Sequence, residues 1–236
     1  MTDLSQFPIT RRWKPEHPEL LQLYSLNTPN GVKVSIMLEE IGLPYEPHLV
    51  EIAADESWTP EFLSLNPNGK IPAIIDPDGP DGTPLGIAES GAILIYLAEK
   101  AGRFYPQDLR GRHEVNQWVF WQMANQGPKT GECGHFRRLK DSQGDQSYAV
   151  RRFTDEVNRL YGVMNNRLYD RRYLAGDDYT IADIAIGGWV RNLVGFYGAG
   201  ELVDYASLKN VPAWLERWLE RPAVQRGLHV TEKVQR

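Results

Sequence analysis

Cysteine is nearly absent from this sequence, since Cys133 is the only one among 236 residues. A single thiol forms neither an internal disulfide nor a Cys-x-x-Cys redox pair. We therefore expect a reducing compartment for this chain. Any thiol–disulfide chemistry must use at least one thiol that another molecule supplies.

Long apolar runs and basic clusters are absent as well. No stretch approaches the roughly 18 uninterrupted apolar residues of a membrane span, and no basic segment with a following apolar run stands at the start. The net charge is −5 without any Lys/Arg-rich run, which argues against nucleic acid as a partner. The five histidines are too scattered for metal ligation. We expect a cytoplasmic protein with no metal, membrane or nucleic-acid partner.

What the chain does contain is the composition of a globular protein, with 42% hydrophobic and 24% charged residues. The first 101 residues are strongly acidic, whereas the remainder carries a small basic excess, which favours two units over one. Residues 1–19 form a polar, proline-containing arm. Its apolar side chains are expected to reach a surface, a partner chain or a cleft: Phe7, Ile9 and Trp13.

Two different patterns follow the arm. Residues 20–102 alternate in the order β-α-β-α-β-β-α, which is an α/β plan of the size of a small domain. Strand signals then vanish, and residues 111–236 read as an all-α domain. Helical periodicity is seen in four segments: 111–127, 148–169, 181–194 and 212–220.

The first candidate functional motif is the turn Asn27-Thr-Pro-Asn-Gly31, between a strand and a helix. The first amides of a helix and its positive dipole end suit an anion such as a thiolate, and Thr28 and Asn30 add side-chain donors. The alternative is that Thr28 or Asn30 only caps the helix.

The second motif is Lys70-Ile71-Pro72, at the start of a strand. Proline donates no hydrogen bond in a sheet, and a cis bond here would turn the backbone of Ile71 outward to pair with an extended, peptide-like ligand. An ordinary trans proline at a sheet edge is the alternative reading.

The third motif is Glu89-Ser90-Gly91, which opens a helix. Ser90 and the helix amides suit a carboxylate while Glu89 suits an ammonium group, which together would hold an amino acid. Equally, Glu89 can complement the helix dipole while Ser90 caps the helix.

All three motifs occur in order within one α/β domain, and here the sequence resembles the glutathione transferases over residues 20–228. The resemblance includes Pro67-Asn-Gly-Lys-Ile-Pro72-Ala, Glu89-Ser-Gly-Ala-Ile-Leu94 and the helix-capping box Thr180-Ile-Ala-Asp183. It implies a thioredoxin-like N-terminal domain joined to an all-α C-terminal domain, glutathione as cosubstrate, and a homodimer.

Within that family, Thr28-Pro-Asn30-Gly with the downstream segments Gly134-His-Phe136 and Tyr148-Ala-Val-Arg-Arg152-Phe looks like the Nu class, the bacterial disulfide-bond reductases. The resemblance implies that Thr28 and Asn30 contact the glutathione sulfur. It also implies the glutathione-binding residues, among which Ser57 stands where some relatives have Gln: Ser57, Lys70, Ile71, Pro72, Glu89, Ser90 and Arg152. Arg151 is expected on a different helix face from Arg152.

Two other residues offer alternative thiol chemistry. Tyr24 lies on the first strand, where other transferase classes activate the thiol with Tyr or Ser, but it is more typical of a core residue. Cys133 is two residues from His135 and lacks a third orienting group, which favours a bystander thiol.

The sequence leads to three hypotheses of function. The first is glutathione-dependent reduction of small disulfides, or exchange with glutathione disulfide itself. The second is conjugation of glutathione to an electrophile, and the third is a glutathione-binding regulator without catalysis. The segment Gly127-Pro-Lys-Thr-Gly-Glu-Cys133 departs from relatives of the Nu class and leaves the second substrate open.

Overall fold

The computed structural model describes residues 3–139 and 143–232 and divides the chain into two compact units. One unit combines the chain up to Gly102 with the segment from Pro222 onward, and the other is Arg103–Arg221. Within the described ranges, no helix is both long and apolar enough to cross a membrane.

The first unit is built on a four-stranded mixed sheet with the strand order β2-β1-β3-β4. Strand β1 is parallel to β2 and antiparallel to β3, which pairs antiparallel with β4. The strands are β1 Leu21–Ser25, β2 Tyr45–Leu49, β3 Ala73–Asp76 and β4 Leu85–Ala88, and the helices are α1 Gly31–Ile41, α2 Pro60–Leu63 and α3 Ser90–Ala101. This order confirms the predicted thioredoxin-like plan.

The N-terminal arm packs on the sheet of its own unit. Ile9 is fully buried in a cluster with Tyr24, Phe62 and Ile75. The Trp13 ring meets Tyr24 edge-on, with ring centroids 6.1 Å apart, and its Nε1–H donates to the Leu49 carbonyl at 2.9 Å. Of the three alternatives for the arm, Ile9 takes the surface of its own unit, because its side chain is already covered by apolar neighbours there.

The long elements of the second unit are all helices within the described residues. Its helices are α4 Leu109–Trp121, α5 Gly127–Arg138, α6 Ser147–Arg167, α7 Ile181–Val194 and α8 Asn210–Leu219. A π-helical turn, Gln122–Gln126, carries α4 into α5. Helix α5 extends beyond residue 127, where the predicted helical segment ends, and its three glycines and Pro128 weaken the helical pattern in the sequence. In the structure, Gly134 gives space to the Tyr197 ring, which a Cβ would strike.

The predicted capping box at the start of α7 is present. The Asp183 carboxylate, fully buried, accepts from the Thr180 N–H at 3.1 Å, the Leu174 N–H at 3.1 Å and the Trp214 Nε1–H at 2.8 Å. Burial raises the pKa of Asp183 to about 6, against the lowering effect of these hydrogen bonds. The box fixes the first turn of α7 to a neighbouring loop and to α8.

The segment from Pro222 packs with α1 in the first unit, although the sequence predicted an all-α domain over residues 111–236 that includes it. This segment forms α9, Pro222–Gly227. The Ser35 hydroxyl donates to the Gly227 carbonyl at 2.6 Å, and a Cβ on Gly227 would lie 2.6 Å from the Cα of Ile36. Helical periodicity identifies a segment as a helix but does not show which neighbouring element packs on its apolar face.

Candidate functional site

The turn before α1 places Thr28 at the start of that helix. The Thr28 N–H donates to the Leu26 carbonyl at 2.7 Å, while its hydroxyl oxygen accepts from the Gly31 N–H at 3.1 Å. Thr28 therefore caps α1, as one reading of the sequence held. A hydroxyl that accepts a hydrogen bond still carries its own proton, so the same group can also donate to an anion.

Gly31 makes this turn tight. A Cβ at this position would clash with the Leu26 carbonyl oxygen, so no larger residue fits without moving the backbone. The close approach puts half-buried Asn30 directly before an 11-residue helix, whose first amides and positive dipole end lie at the turn. The turn thus combines two polar side chains with the anion-attracting end of α1.

The segment before β3 is held by a residue that the sequence analysis missed. The Ile71-Pro72 bond is cis. Buried Asn66 donates from Nδ2 to the Lys70 carbonyl at 2.6 Å and accepts from the Asn68 N–H at 3.0 Å. The signal for Asn66 was its place ahead of Pro67 in a turn-forming run, where Asn commonly bonds to the backbone two residues on.

Ile71 lies just outside the sheet. The β1–β3 and β3–β4 ladders begin at Ala73, and the backbone of Ile71 has no hydrogen-bond partner among the described residues. Its side chain packs against the cluster under the arm, and the side chain of Lys70 is exposed. An unpaired N–H and C=O just beyond the end of β3 is the arrangement that an extended ligand can complete.

Glu89 and Ser90 stand at the start of α3, where Glu89 is exposed to solvent and Ser90 is buried. Glu89 is exposed and has φ 69°, an uncommon conformation for a residue with a side chain. Its carboxylate makes no hydrogen bond to the first amides of α3, so the capping reading does not hold for Glu89 within the described structure. Ser90 is buried immediately behind it.

Lys33 connects α1 with α3 and was not identified from the sequence. Its side chain is fully buried, and Nζ donates to the Ser90 hydroxyl oxygen at 3.3 Å. Burial lowers the pKa of Lys33 to about 7, and the charge of Glu89 opposes that shift. The signal was the segment Val32–Leu38, which is apolar around the whole helix apart from Lys33 and Ser35.

Ser57 and Arg152 are placed apart from these groups. Ser57 is buried in a short helical turn of the first unit and makes no side-chain hydrogen bond to the other candidates within the described residues. Arg152 lies on α6 of the second unit and is exposed. Together with other basic, acidic and aromatic side chains it lines a cavity of about 490 Å³: Lys129, Tyr148, Arg151, Phe153, Asp155, Glu156 and Arg159.

The cavity changes the expected role of Arg151. Arg151 and Arg152 line the same cavity although consecutive residues of a helix point about 100° apart, so Arg151 does not serve as a distant control for Arg152. Arg151 lies over the Tyr148 ring, 5.8 Å from its centroid, whereas Arg159 is engaged with Glu156 by two hydrogen bonds of 2.9 and 2.8 Å. A cavity with this excess of guanidinium groups suits a carboxylate.

The alternative thiol residues are both interior. Tyr24 is fully buried and stacked on His48, with ring centroids 4.7 Å apart, and burial raises the pKa of its hydroxyl. Cys133 is fully buried, with Sγ 3.7 Å from the Thr154 hydroxyl, whereas His135 is exposed. Both residues are therefore better explained as parts of the core than as reactive groups.

Comparison with known proteins agrees with the fold of the two units. The family model of the glutathione S-transferase N-terminal domain matches residues 28–100, and that of the C-terminal domain matches residues 129–222. The chain is 44% identical over 220 residues to the disulfide-bond oxidoreductase YghU of Escherichia coli (strain K12), covering 90% of this chain and 74% of that protein.

Two solved structures are similar over nearly the whole chain. A glutathione transferase from Burkholderia graminis, with two glutathione molecules bound per subunit, has a TM-score of 0.95 and 57% identity and covers 98% of this chain and 96% of its own. One from Pseudomonas putida, with one glutathione disulfide bound per subunit, has a TM-score of 0.94 and 52% identity over 97% of this chain and 99% of its own.

This chain belongs to the glutathione S-transferase family. It is an enzyme of that family, with the fold that its two domain models describe.

Proposed function

We propose that the protein catalyses the glutathione-dependent reduction of small disulfides, with Thr28 and Asn30 stabilising the glutathione thiolate. The observation that carries the proposal is the turn that joins these two side chains to the N-terminal end of α1. The name of YghU and the glutathione disulfide in the Pseudomonas putida structure support the choice of substrate class.

The chemistry is thiol–disulfide exchange in which all reacting sulfurs belong to substrates, since Cys133 is buried. A glutathione thiolate attacks the disulfide, forming a mixed disulfide and releasing one thiolate, which takes up a proton. A second glutathione thiolate attacks the mixed disulfide at the glutathione sulfur. The products are glutathione disulfide and the second thiol of the substrate.

The remaining candidates bind the rest of glutathione in this proposal. Ile71, held by Asn66 through Lys70 and followed by Pro72, pairs with the cysteinyl backbone. Glu89 and Ser90 hold the γ-glutamyl ammonium and carboxylate. Arg152 binds a glutathione carboxylate, whereas buried Ser57 supports the loop before Trp58 and is the weakest candidate for a direct contact.

The family resemblance supports two further parts of the proposal. We place the chain in the Nu class on Thr28-Pro-Asn30-Gly and Arg152, and we expect it to form a homodimer. Sedimentation of the full chain tests the dimer. A monomer at the concentration used for activity would contradict it.

The turn can supply enough thiolate stabilisation to matter. One unit of thiol pKa corresponds to about 1.4 kcal/mol, and a charge-assisted hydrogen bond together with the helix dipole provides about one to two units. Removing Asn30 is expected to cost about one unit. The thiolate fraction near neutral pH then falls about tenfold.

The test measures glutathione disulfide formed from glutathione and bis(2-hydroxyethyl) disulfide, above the uncatalysed rate. We expect clear turnover by the wild type and about tenfold lower kcat for Asn30→Ala, with KM for glutathione changed less than twofold. The matched control is Asn27→Ala, because the Asn27 amide bonds to Glu232 instead.

Two results would contradict the proposal. Full turnover by Asn30→Ala would remove this residue from thiolate stabilisation. An aryl halide conjugated by the wild type while the disulfide is not reduced would assign the conjugating activity instead.

A further inference from the structure

Lys33 is a costly residue for the fold. Its ammonium group is removed from water on a helix whose other interior side chains are nearly all apolar. Buried lysines disfavour their own charged form, and an apolar side chain of the same length would avoid that cost. A group that lowers stability and faces a candidate binding residue is a functional candidate.

The hydrogen bond to Ser90 has a direction that depends on the charge of Lys33. The ammonium form has only donors, so Ser90 Oγ is the acceptor in the 3.3 Å bond and its own proton must go to another group. The neutral amine has a lone pair and competes for that proton. A charged Lys33 therefore makes Ser90 a donor, which is what a bound carboxylate requires.

Among the charged and titratable groups on the elements packed around Lys33, Glu89 is the one whose charge opposes the lowering of the Lys33 pKa. On α9, Arg226 is bonded to Glu39 of α1 at 2.6 Å. On α3, Glu99 and Lys100 lie at the opposite end of the helix from Ser90. The other titratable groups on these elements are Glu40 at the far end of α1, Tyr24 on β1 and Tyr96 on α3, whose hydroxyl donates to Asp76.

We propose that Lys33 is a positioning residue that turns the Ser90 hydroxyl toward the γ-glutamyl carboxylate of glutathione and places a positive charge behind it. This inference rests on the proposed role of Glu89 and Ser90. Since a bound carboxylate favours the ammonium form, ligand binding and protonation of Lys33 are coupled. Glutathione binding near neutral pH then takes up a proton at this lysine.

The test is calorimetric titration of the full chain with S-methylglutathione, whose sulfur does not ionise, at pH 7.5 in two buffers of different ionisation enthalpy. We expect proton uptake by the wild type. For Lys33→Met, we expect at least tenfold weaker binding, smaller proton uptake, and a melting temperature no lower than that of the wild type. The difference in uptake assigns the proton to the lysine rather than to the ligand.

The control is Ser35→Ala, which removes another buried polar group of α1 whose hydroxyl bonds to Gly227. We expect this variant to lose melting temperature and to retain binding within twofold, with the proton uptake of the wild type. A role of Lys33 in stability alone would give Lys33→Met the same behaviour as Ser35→Ala.

The outcomes separate this inference from the proposed function. Binding by the wild type without proton uptake, or equal affinity and uptake in Lys33→Met, overturns the role of Lys33 and leaves glutathione binding intact. No binding of S-methylglutathione by the wild type overturns both. If Lys33→Met does not fold, the wild-type uptake and its loss in Ser90→Ala still decide the question.

Discussion

The N-terminus of α7 in the helical unit contrasts with those of α1 and α3 in the first unit. At α7 the chain supplies its own carboxylate, and buried Asp183 bonds to the amides of Thr180 and Leu174 and to the Trp214 indole. At α3 the carboxylate of Glu89 is exposed and leaves the first amides of its own helix to other partners.

The difference teaches how one physical feature serves two purposes. Every helix start has amides without a partner within the helix and a positive dipole end. At α7 a carboxylate of the chain itself occupies this end of the helix, and Asp183 ties the cap residue Thr180 to a loop and to α8, so the result is a rigid joint. Where the internal partner is only a hydroxyl, as Thr28 is for α1, an external anion can still be bound. The variants below test this division.

The largest effect is expected on stability, at the N-terminus of α7, where the chain supplies its own carboxylate. Asp183→Ala leaves the buried donors of Thr180, Leu174 and Trp214 without their acceptor and should lower the free energy of unfolding by about 3 kcal/mol, measured by urea denaturation. The exposed Asp177→Ala should change it by less than about 0.5 kcal/mol. Glutathione binding by the folded fraction should remain. Equal stabilities of the two variants would remove the structural role of the box.

A smaller effect, on binding rather than stability, is expected at the N-terminus of α3, where the Glu89 carboxylate does not bond to the helix amides. Glu89→Gln removes the charge proposed to hold the ligand ammonium, at a cost of about 2 kcal/mol, or roughly thirtyfold in affinity for S-methylglutathione. Glu99→Gln makes the same charge change at the other end of the helix and should bind normally. Equal affinities in both variants would contradict the proposed role of Glu89.

The smallest effect is expected in the cavity on α6. Arg152→Ala removes one of several cationic side chains and should raise KM for glutathione about fivefold, or about 1 kcal/mol. Arg110→Ala, exposed on α4, provides the charge-matched control. If Arg151→Ala raises KM more than Arg152→Ala does, the carboxylate contact belongs to Arg151 instead.

The sequence predicted the features that local chemistry determines. The strand and helix order of the first unit and the Thr180–Asp183 box follow from periodicity and capping, which act within a few residues. Two features that the sequence did not predict depend on contacts between residues far apart in the chain. They are the packing of Tyr197 against Gly134 of α5 and the packing of α9 on α1.

The candidate site was predicted only at its visible motifs. Thr28, Asn30, Ile71, Glu89 and Ser90 lie in turns and helix starts that a sequence displays directly. Lys33 and Asn66 act through other residues from buried positions, and a lysine or an asparagine in a sequence is normally taken as solvent-exposed. Finding them required the three-dimensional neighbours.

The placement of α9 has a consequence for biosynthesis. Residues 222–232 are translated only after the whole helical unit, yet Gly227 fits against Ile36 and Thr231 bonds to Asn27 within the first unit. During synthesis, the face of α1 that binds α9 therefore stays uncovered until more than a hundred residues of the second unit have been translated. The first unit is therefore completed last, when residues 222–232 pack against α1.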